Sequence, residues 1–335
     1  MNRKRARRCG AFVALLVAVS ACTGNPVDKP PPTVAPATAA ESPPITAPPA
    51  GLVRPLAVKA VAAEFDAATS SLVVLGADRL AVMPVRGGDP RIVALPRRAT
   101  ALTGDGKGVA YASTHGGYFR VDVGTGQAAK VQVAGQEATD FTAIARRDDG
   151  KLVLGSAAGS VYTLGSDGSV AAQLNNFARV DELAAQGNTA IVLDRAQTSV
   201  TTIDPAGDHA RHALRAGTGA TTLTVDPAGR ALVADTRGGS LLVFSVDPLI
   251  LRQSYPVRQA PYGLAGSRGL AWVSLTAANV VVGYDLATGI PVEKMRYPTV
   301  RQPDVLAVDE ATDTLYVVSG AGDGVQVIDK AGAPR

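Results

Sequence analysis

From about residue 51 onward, apolar and polar positions alternate in runs of a few residues, and no stretch of useful length keeps a 3.6-residue period. A period of two predicts half-buried β-strands, and the Gly, Asp and Asn clusters between the runs predict tight turns. One unit recurs. Its clearest copy reads Thr222-Leu-Thr-Val-Asp226, a Pro-Ala-Gly-Arg turn, Ala231-Leu-Val-Ala-Asp235, a Gly-rich turn and Leu241-Leu-Val-Phe-Ser245. A second runs from Asp304-Val-Leu-Ala-Val-Asp309 through Leu315-Tyr-Val-Val318 to Val325-Gln-Val-Ile-Asp329.

The middle of each unit's second strand falls at Val73, Tyr111, Val153, Val192, Val233, Trp272 and Val317, at intervals of 38, 42, 39, 41, 39 and 45 residues. A period near 40 residues with four short strands per unit is the signature of propeller blades. The expectation is an all-β, seven-bladed β-propeller with four-stranded blades over residues 51–335. An ordinary sandwich would have to arrange nearly thirty strands in one or two sheets.

The ends of the repeat predict how the ring closes. The seventh unit stops after its third strand, near Asp329, which leaves an unpaired edge, and exposed edges invite aggregation. Ahead of the first unit lies an extra β-like segment, Val53-Arg-Pro-Leu-Ala-Val58, with no partner of its own. It is expected to complete the last blade, so that one blade is built from both chain ends.

The N-terminus changes the picture of where this domain works. Arg3, Lys4, Arg5, Arg7 and Arg8 precede an apolar run from Gly10 to Ala21. That order reads as a secretory signal, too short to span a bilayer, over residues 1–21. Val19-Ser20-Ala21-Cys22 resembles the bacterial lipobox, which implies acylation of Cys22 and cleavage before it. Residues 23–50 hold nine prolines among Ala, Thr and Ser, a composition expected to form a disordered tether of up to roughly 80–90 Å. The domains expected are therefore the signal at 1–21, a lipidated Cys and tether at 22–50, and the propeller at 51–335.

Removing the signal also removes the excess charge. The chain carries 33 Lys plus Arg against 29 Asp plus Glu, and five of the bases lie in the signal, leaving about −1. Such a balance, with no basic tract, gives no reason to expect nucleic acid or an anionic membrane surface as a partner. With Cys9 removed and Cys22 acylated, no thiol is left for a disulfide, a metal or a nucleophile.

The blades resemble the YVTN-type and WD40-like repeats of bacterial exported propellers, although neither Tyr-Val-Thr-Asn nor Trp-Asp recurs. Together with the lipobox, the Pro-rich segment and the phrase Asp140-Phe-Thr-Ala-Ile-Ala-Arg-Arg147, the chain resembles mycobacterial and actinobacterial LppL-like lipoproteins. The resemblance implies a fold and a lipid-anchored location on the outer face of the cell membrane. No established activity comes with it.

Chemical motifs are sparse. His209 and His212 lie near a turn and lack further metal ligands at a defined spacing. His115 sits in a turn able to face the channel. Asp-rich turns such as Arg147-Asp-Asp-Gly-Lys151 read as hairpin turns, and Gly104-Asp-Gly106 and Gly322-Asp-Gly324 precede no helix that would make them phosphate cradles. No catalytic residue, metal ligand or cofactor is assigned.

The candidate site is positional. Loops leading into the inner strands ring one mouth of a propeller channel, and here they carry Arg98, Arg179, Arg258 and Arg301 together with acids. The residues chosen as ligand contacts are Arg258, Tyr262, Arg301 and Asp304, with Asp140, Asp181 and Glu182. They are expected to bind a polar ligand, or else to pair across neighbouring blades and hold the ring together. Two functional readings follow. One is a non-catalytic binding or scaffold module that meets an envelope protein, peptide or glycan. The alternative is a propeller-type hydrolase or lactonase, or a quinone-dependent oxidoreductase, with its site at the channel mouth.

Overall fold

The computed structural model describes residues 32–333, and no helix occurs among them. The expected signal, Cys22 and the segment up to residue 31 lie outside the described residues. Seven antiparallel sheets of four strands follow one another along the chain. Their inner strands are Ala62–Asp66, Ala99–Gly104, Phe141–Arg146, Glu182–Gln186, Ala220–Val225, Pro261–Gly266 and Val305–Asp309. Each packs beside the next, and the last returns to pack beside the first. This is the expected seven-bladed propeller, and each of the seven marker residues lies in the second strand of its blade.

Burial explains the pattern. Second strands such as Ser71–Leu75, Thr189–Asp194 and Thr314–Val318 are buried at every position. Both faces of such a strand pack on a neighbouring blade, so the sequence there is continuously apolar rather than alternating. An outermost strand such as Val170–Asn175 alternates strictly between half-buried and exposed residues. The core therefore lies between blades. Val73, Leu75 and Leu80 of blade 1 pack with Ala112, Phe119 and Val121 of blade 2, and equivalent clusters recur around the ring.

The closure takes the expected form over a shorter stretch. Leu52–Arg54 pairs antiparallel with Val325–Ile328, aligning Leu52 with Val327 and Arg54 with Val325, and supplies the outer strand of blade 7. Gly51 introduces this strand at φ +73°, and a Cβ there would run into the carbonyl oxygen of Val327. The position requires glycine both for its conformation and for its close approach. The fully buried Gln326 ties the seam. Its Oε1 accepts from Val300 N at 3.1 Å, and its Nε2 donates to Ala50 O at 2.8 Å and Pro298 O at 2.9 Å.

Residues 32–50 differ from the expected disordered tether. They lie along the propeller as a strap, and the compact unit begins at Pro32 rather than at residue 51. Val34 N donates to Ala196 O at 2.7 Å. Arg237 donates to Ala35 O at 2.7 Å, and Asn279 to Pro43 O at 2.8 Å. Ser42 and Gln302 bond reciprocally, each donating a backbone N–H to the other's side chain at 3.0 Å. Proline-rich backbone has few N–H groups of its own to satisfy. Its carbonyls are met here by side chains of blades 5, 6 and 7. Composition alone carries no trace of those acceptors' partners, because they lie some 200 or more residues away in sequence.

Candidate functional site

The inner strands enclose a channel of about 860 Å³ to which all seven blades contribute. Near the start of the inner strand in blades 2 to 7 stands a residue whose side chain decides what that sector of the mouth offers. In blades 2, 3 and 5 it is a threonine. Thr100 donates to Phe141 O at 2.8 Å, Thr142 to Val180 O at 2.5 Å, and Thr222 to Tyr262 O. Each hydroxyl thereby joins its blade to the approach to the following blade's inner strand. At the corresponding ends in blades 4, 6 and 7 stand Glu182, Tyr262 and Asp304, and these line the channel. The six residues Thr100, Thr142, Glu182, Thr222, Tyr262 and Asp304 follow at intervals of 40 to 42. The site is a departure from a structural repeat.

Glu182 accepts a bond from Arg195 at 2.5 Å, and the Arg195 charge lies close enough to Tyr262 to act on its hydroxyl. Asp181 sits beside them, receiving Arg195 N at 2.8 Å and Arg179 Nε at 3.0 Å. Burial raises the Glu182 carboxyl above the usual carboxylate range even though Arg195 opposes the shift. Burial works against the charge on Arg195, but Glu182, Tyr262 and Asp181 outweigh it and hold the guanidinium protonated. Its Nε is buried with no bond of its own. Tyr262 is pushed up by burial, with Glu182 and Asp304 adding to the shift. Asp304 is raised to about 6 by burial, since its side-chain partner is the neutral amide of Gln302 at 2.9 Å.

Deeper in, Glu64 projects from blade 1 into the channel. Its side chain meets channel solvent yet is surrounded by the ring. Burial, with the negative charge of Asp66 behind it, lifts its carboxyl to about 7. Room for it comes from Gly104 of blade 2, where a Cβ would stand 3.1 Å from Glu64 Cγ. The far end of the channel holds Arg146, Asp226 and Glu310. Asp226 pairs with Arg230 at 2.6 Å.

Of the seven residues chosen from sequence, the structure brings four to the channel wall: Asp181, Glu182, Tyr262 and Asp304. Three stand outside it. Asp140 bonds His115 Nδ1 at 2.6 Å on the exposed rim, Arg301 reaches Asp323 at 3.3 Å, and Arg258 is exposed. Among the described ion pairs of the mouth, His115–Asp140 joins blade 2 to the approach loop of blade 3, while Arg179–Asp181, Arg195–Glu182 and Arg301–Asp323 form within one blade or its approach loop. Hydroxyls, the Gln326 amide and apolar packing also join the blades. Sequence reasoning missed Arg195 because it lies in the turn after a second strand. It missed Glu64 because candidates were taken from the approach loops, whereas Glu64 stands in the middle of an inner strand.

Among the described residues one group has metal-ligand proximity, Asp204, Asp208 and His209. The Asp204 carboxylate there accepts the backbone N–H groups of Gly207, Asp208 and His209, which makes the group a hairpin turn.

No protein-family model matches this chain, and no curated protein matches it. Solved structures do. Hydrazine synthase of Kuenenia stuttgartiensis superposes with a TM-score of 0.69 at 12% identity, over 84% of this chain and 98% of that one. A chain of a mitotic checkpoint complex gives 0.73 at 10% identity, over 88% and 98%. Streptogramin B lyase gives 0.68 at 10% identity, over 83% and 96%. At such identities the likeness shows the seven-bladed propeller alone, since unrelated functions share that fold.

Proposed function

We propose that this protein is an exported lipoprotein of the LppL-like kind, held to the outer face of the cell membrane through Cys22. In this reading the propeller is a non-catalytic binding module whose ligand, an envelope protein, peptide or glycan, is recognised at the channel mouth. The observation that carries the binding reading is the Asp181–Glu182–Arg195–Tyr262–Asp304 group. It offers both signs of charge and a hydroxyl from three blades, with Arg195 bonded to Asp181 and Glu182 and Asp304 held by Gln302. Such preorganised polar groups in a concavity suit recognition, because little is left to order on binding.

A second reading has its own support. A carboxyl raised to about 7 at Glu64 is suited to exchange a proton near neutrality, as a general acid or base requires. That favours a hydrolase, lactonase or oxidoreductase working deeper in the channel.

Native mass spectrometry of the protein purified from envelope extract separates the two. The binding reading expects a retained ligand that is lost in Glu182→Gln and Asp304→Asn and kept in Glu64→Gln. An extract component converted by the wild type and untouched by Glu64→Gln would replace binding with catalysis. The anchor is tested separately by the mass of the N-terminal peptide and by membrane fractionation of Cys22→Ser, which is expected to leave the membrane.

A further inference from the structure

The two faces of the ring differ in charge. On the mouth face, the loops between strands carry eight Lys or Arg and six Asp or Glu; the strap adds only Glu41. On the opposite face, the described loops and C-terminal turn carry six and twelve. The near-neutral chain is thus polarised, close to neutral at the mouth, at about +1 with Glu41 counted, and strongly negative behind, at about −6. Lys59, Arg97 and Arg258 are exposed on the mouth face and make no ion pair. The acids behind include Asp105, Asp167 and Asp204, which accept the backbone N–H groups of their own turns. Their placement is fixed by turn chemistry. Arg179, Arg195, Arg237 and Arg301 of the mouth likewise have local partners, whereas no such local role accounts for Lys59, Arg97 and Arg258.

The strap lies on the same face. Its contacts are with the turn after the second strand in blades 4, 5 and 6, at Ala196, Arg237 and Thr276, and with Gln302 ahead of the inner strand of blade 7. The chain therefore leaves the propeller from the mouth face at Val34, twelve residues from Cys22. Fully extended, those residues reach at most about 40 Å, half the span of a free tether from residue 50. Bases on that face come within reach of headgroups, where attraction to anionic lipid acts over roughly a Debye length of 10 Å.

From the charge polarity and the strap together, we infer that the mouth face docks on an anionic lipid surface, with the acidic face turned away from the membrane. The inference rests on the lipid-anchored reading above. It sets the channel mouth at the headgroup level, so a ligand reaches the Glu182–Arg195–Tyr262 group from the membrane side. The acidic face is the one left open to partners.

The test uses the full-length lipidated protein on vesicles of phosphatidylglycerol and phosphatidylethanolamine carrying headgroup nitroxides. One fluorophore is placed on Asn176→Cys, exposed on the mouth side of blade 3, or on Ser166→Cys, exposed on the opposite side of the same blade. Cys9 and Cys22 are the only native cysteines, so in the processed, acylated chain the new thiol is the only free one. The expected result is quenching at position 176, none at 166, and loss of that contrast in the Lys59→Glu, Arg97→Glu, Arg258→Glu triple variant. A chain that floats with the vesicles while both labels are quenched alike, or 166 more strongly, overturns the orientation and leaves the anchor standing. Contrast that survives the triple variant overturns the role of charge. A chain that does not float at all brings down the anchor, and the orientation with it.

Discussion

Glu64 shows how one side chain reports on the whole ring. Its carboxyl is lifted to about 7 by burial and by Asp66, so the folded protein holds this proton more tightly than the unfolded chain does. Stability tied to that proton is fully present below the unfolded value of 4.5 and is lost as pH rises through about 7. Glu64→Gln keeps the shape and removes the titration. Its melting temperature is expected to match the wild type near pH 4.5 and to exceed it at pH 8. Melts of both proteins across that range check it, and parallel curves would show that channel water solvates the carboxylate fully. The motif of an inner strand gave no hint of this residue. Ala62-Ala-Glu-Phe-Asp66 reads as an ordinary alternating strand, and only the enclosure of its third position by six other blades makes the glutamate unusual.

At the scale of elements, the blades were legible and their joints were not. Period-two alternation and 40-residue spacing follow from local geometry, so each second strand stands where the apolar runs place it. The same reasoning found the closing strand, because an unpaired edge at one terminus needs a spare strand at the other. Gln326 was invisible to it. Within Val325-Gln-Val-Ile328 the glutamine looks like a solvent-facing position, yet it is fully buried and its amide ties Ala50, Pro298 and Val300 together. Gln326→Leu would fill similar volume while stranding the Val300 N–H and the Ala50 carbonyl; Pro298 O keeps its bond from Ala50 N at 3.0 Å. Unsatisfied buried groups cost about 1–3 kcal/mol each, with partial relief where water enters. The expected loss is therefore about 2–4 kcal/mol in urea unfolding, and a loss under about 0.5 kcal/mol would show that the seam is held by strand pairing and packing alone. Tether composition misled for a related reason: Pro, Ala and Thr cannot form a core of their own, but nothing in them forbids docking on a core supplied by other residues.

Over the whole molecule, the ring is joined at one place, and the two N-terminal segments there do different work. The strap adds hydrogen bonds over blades that are already closed. Leu52–Arg54 closes the ring itself, since without it Val325–Ile328 becomes an outer strand with a bare edge. Two trimmed chains separate these roles. A chain beginning at Gly51 keeps the closing strand and loses the strap, including the bonds of Ser42 with Gln302 and Thr276. Net contributions near 1 kcal/mol per bond, set against the entropy of ordering the segment, predict a loss of about 1–3 kcal/mol, a few degrees in melting temperature. It is expected to elute in the same oligomeric state as the longer chain and to melt in one transition. A chain beginning at Leu56 loses the closing strand as well. Blade 7 is then left with three strands, and its edge is open to pairing with another molecule. Scanning calorimetry with size-exclusion chromatography is expected to show a broadened transition and self-association for that chain alone. If both chains melt and elute alike, the inter-blade packing around Trp272, Tyr297 and Leu315 is sufficient to hold the ring, and closure by the termini serves to protect an edge rather than to stabilise the fold.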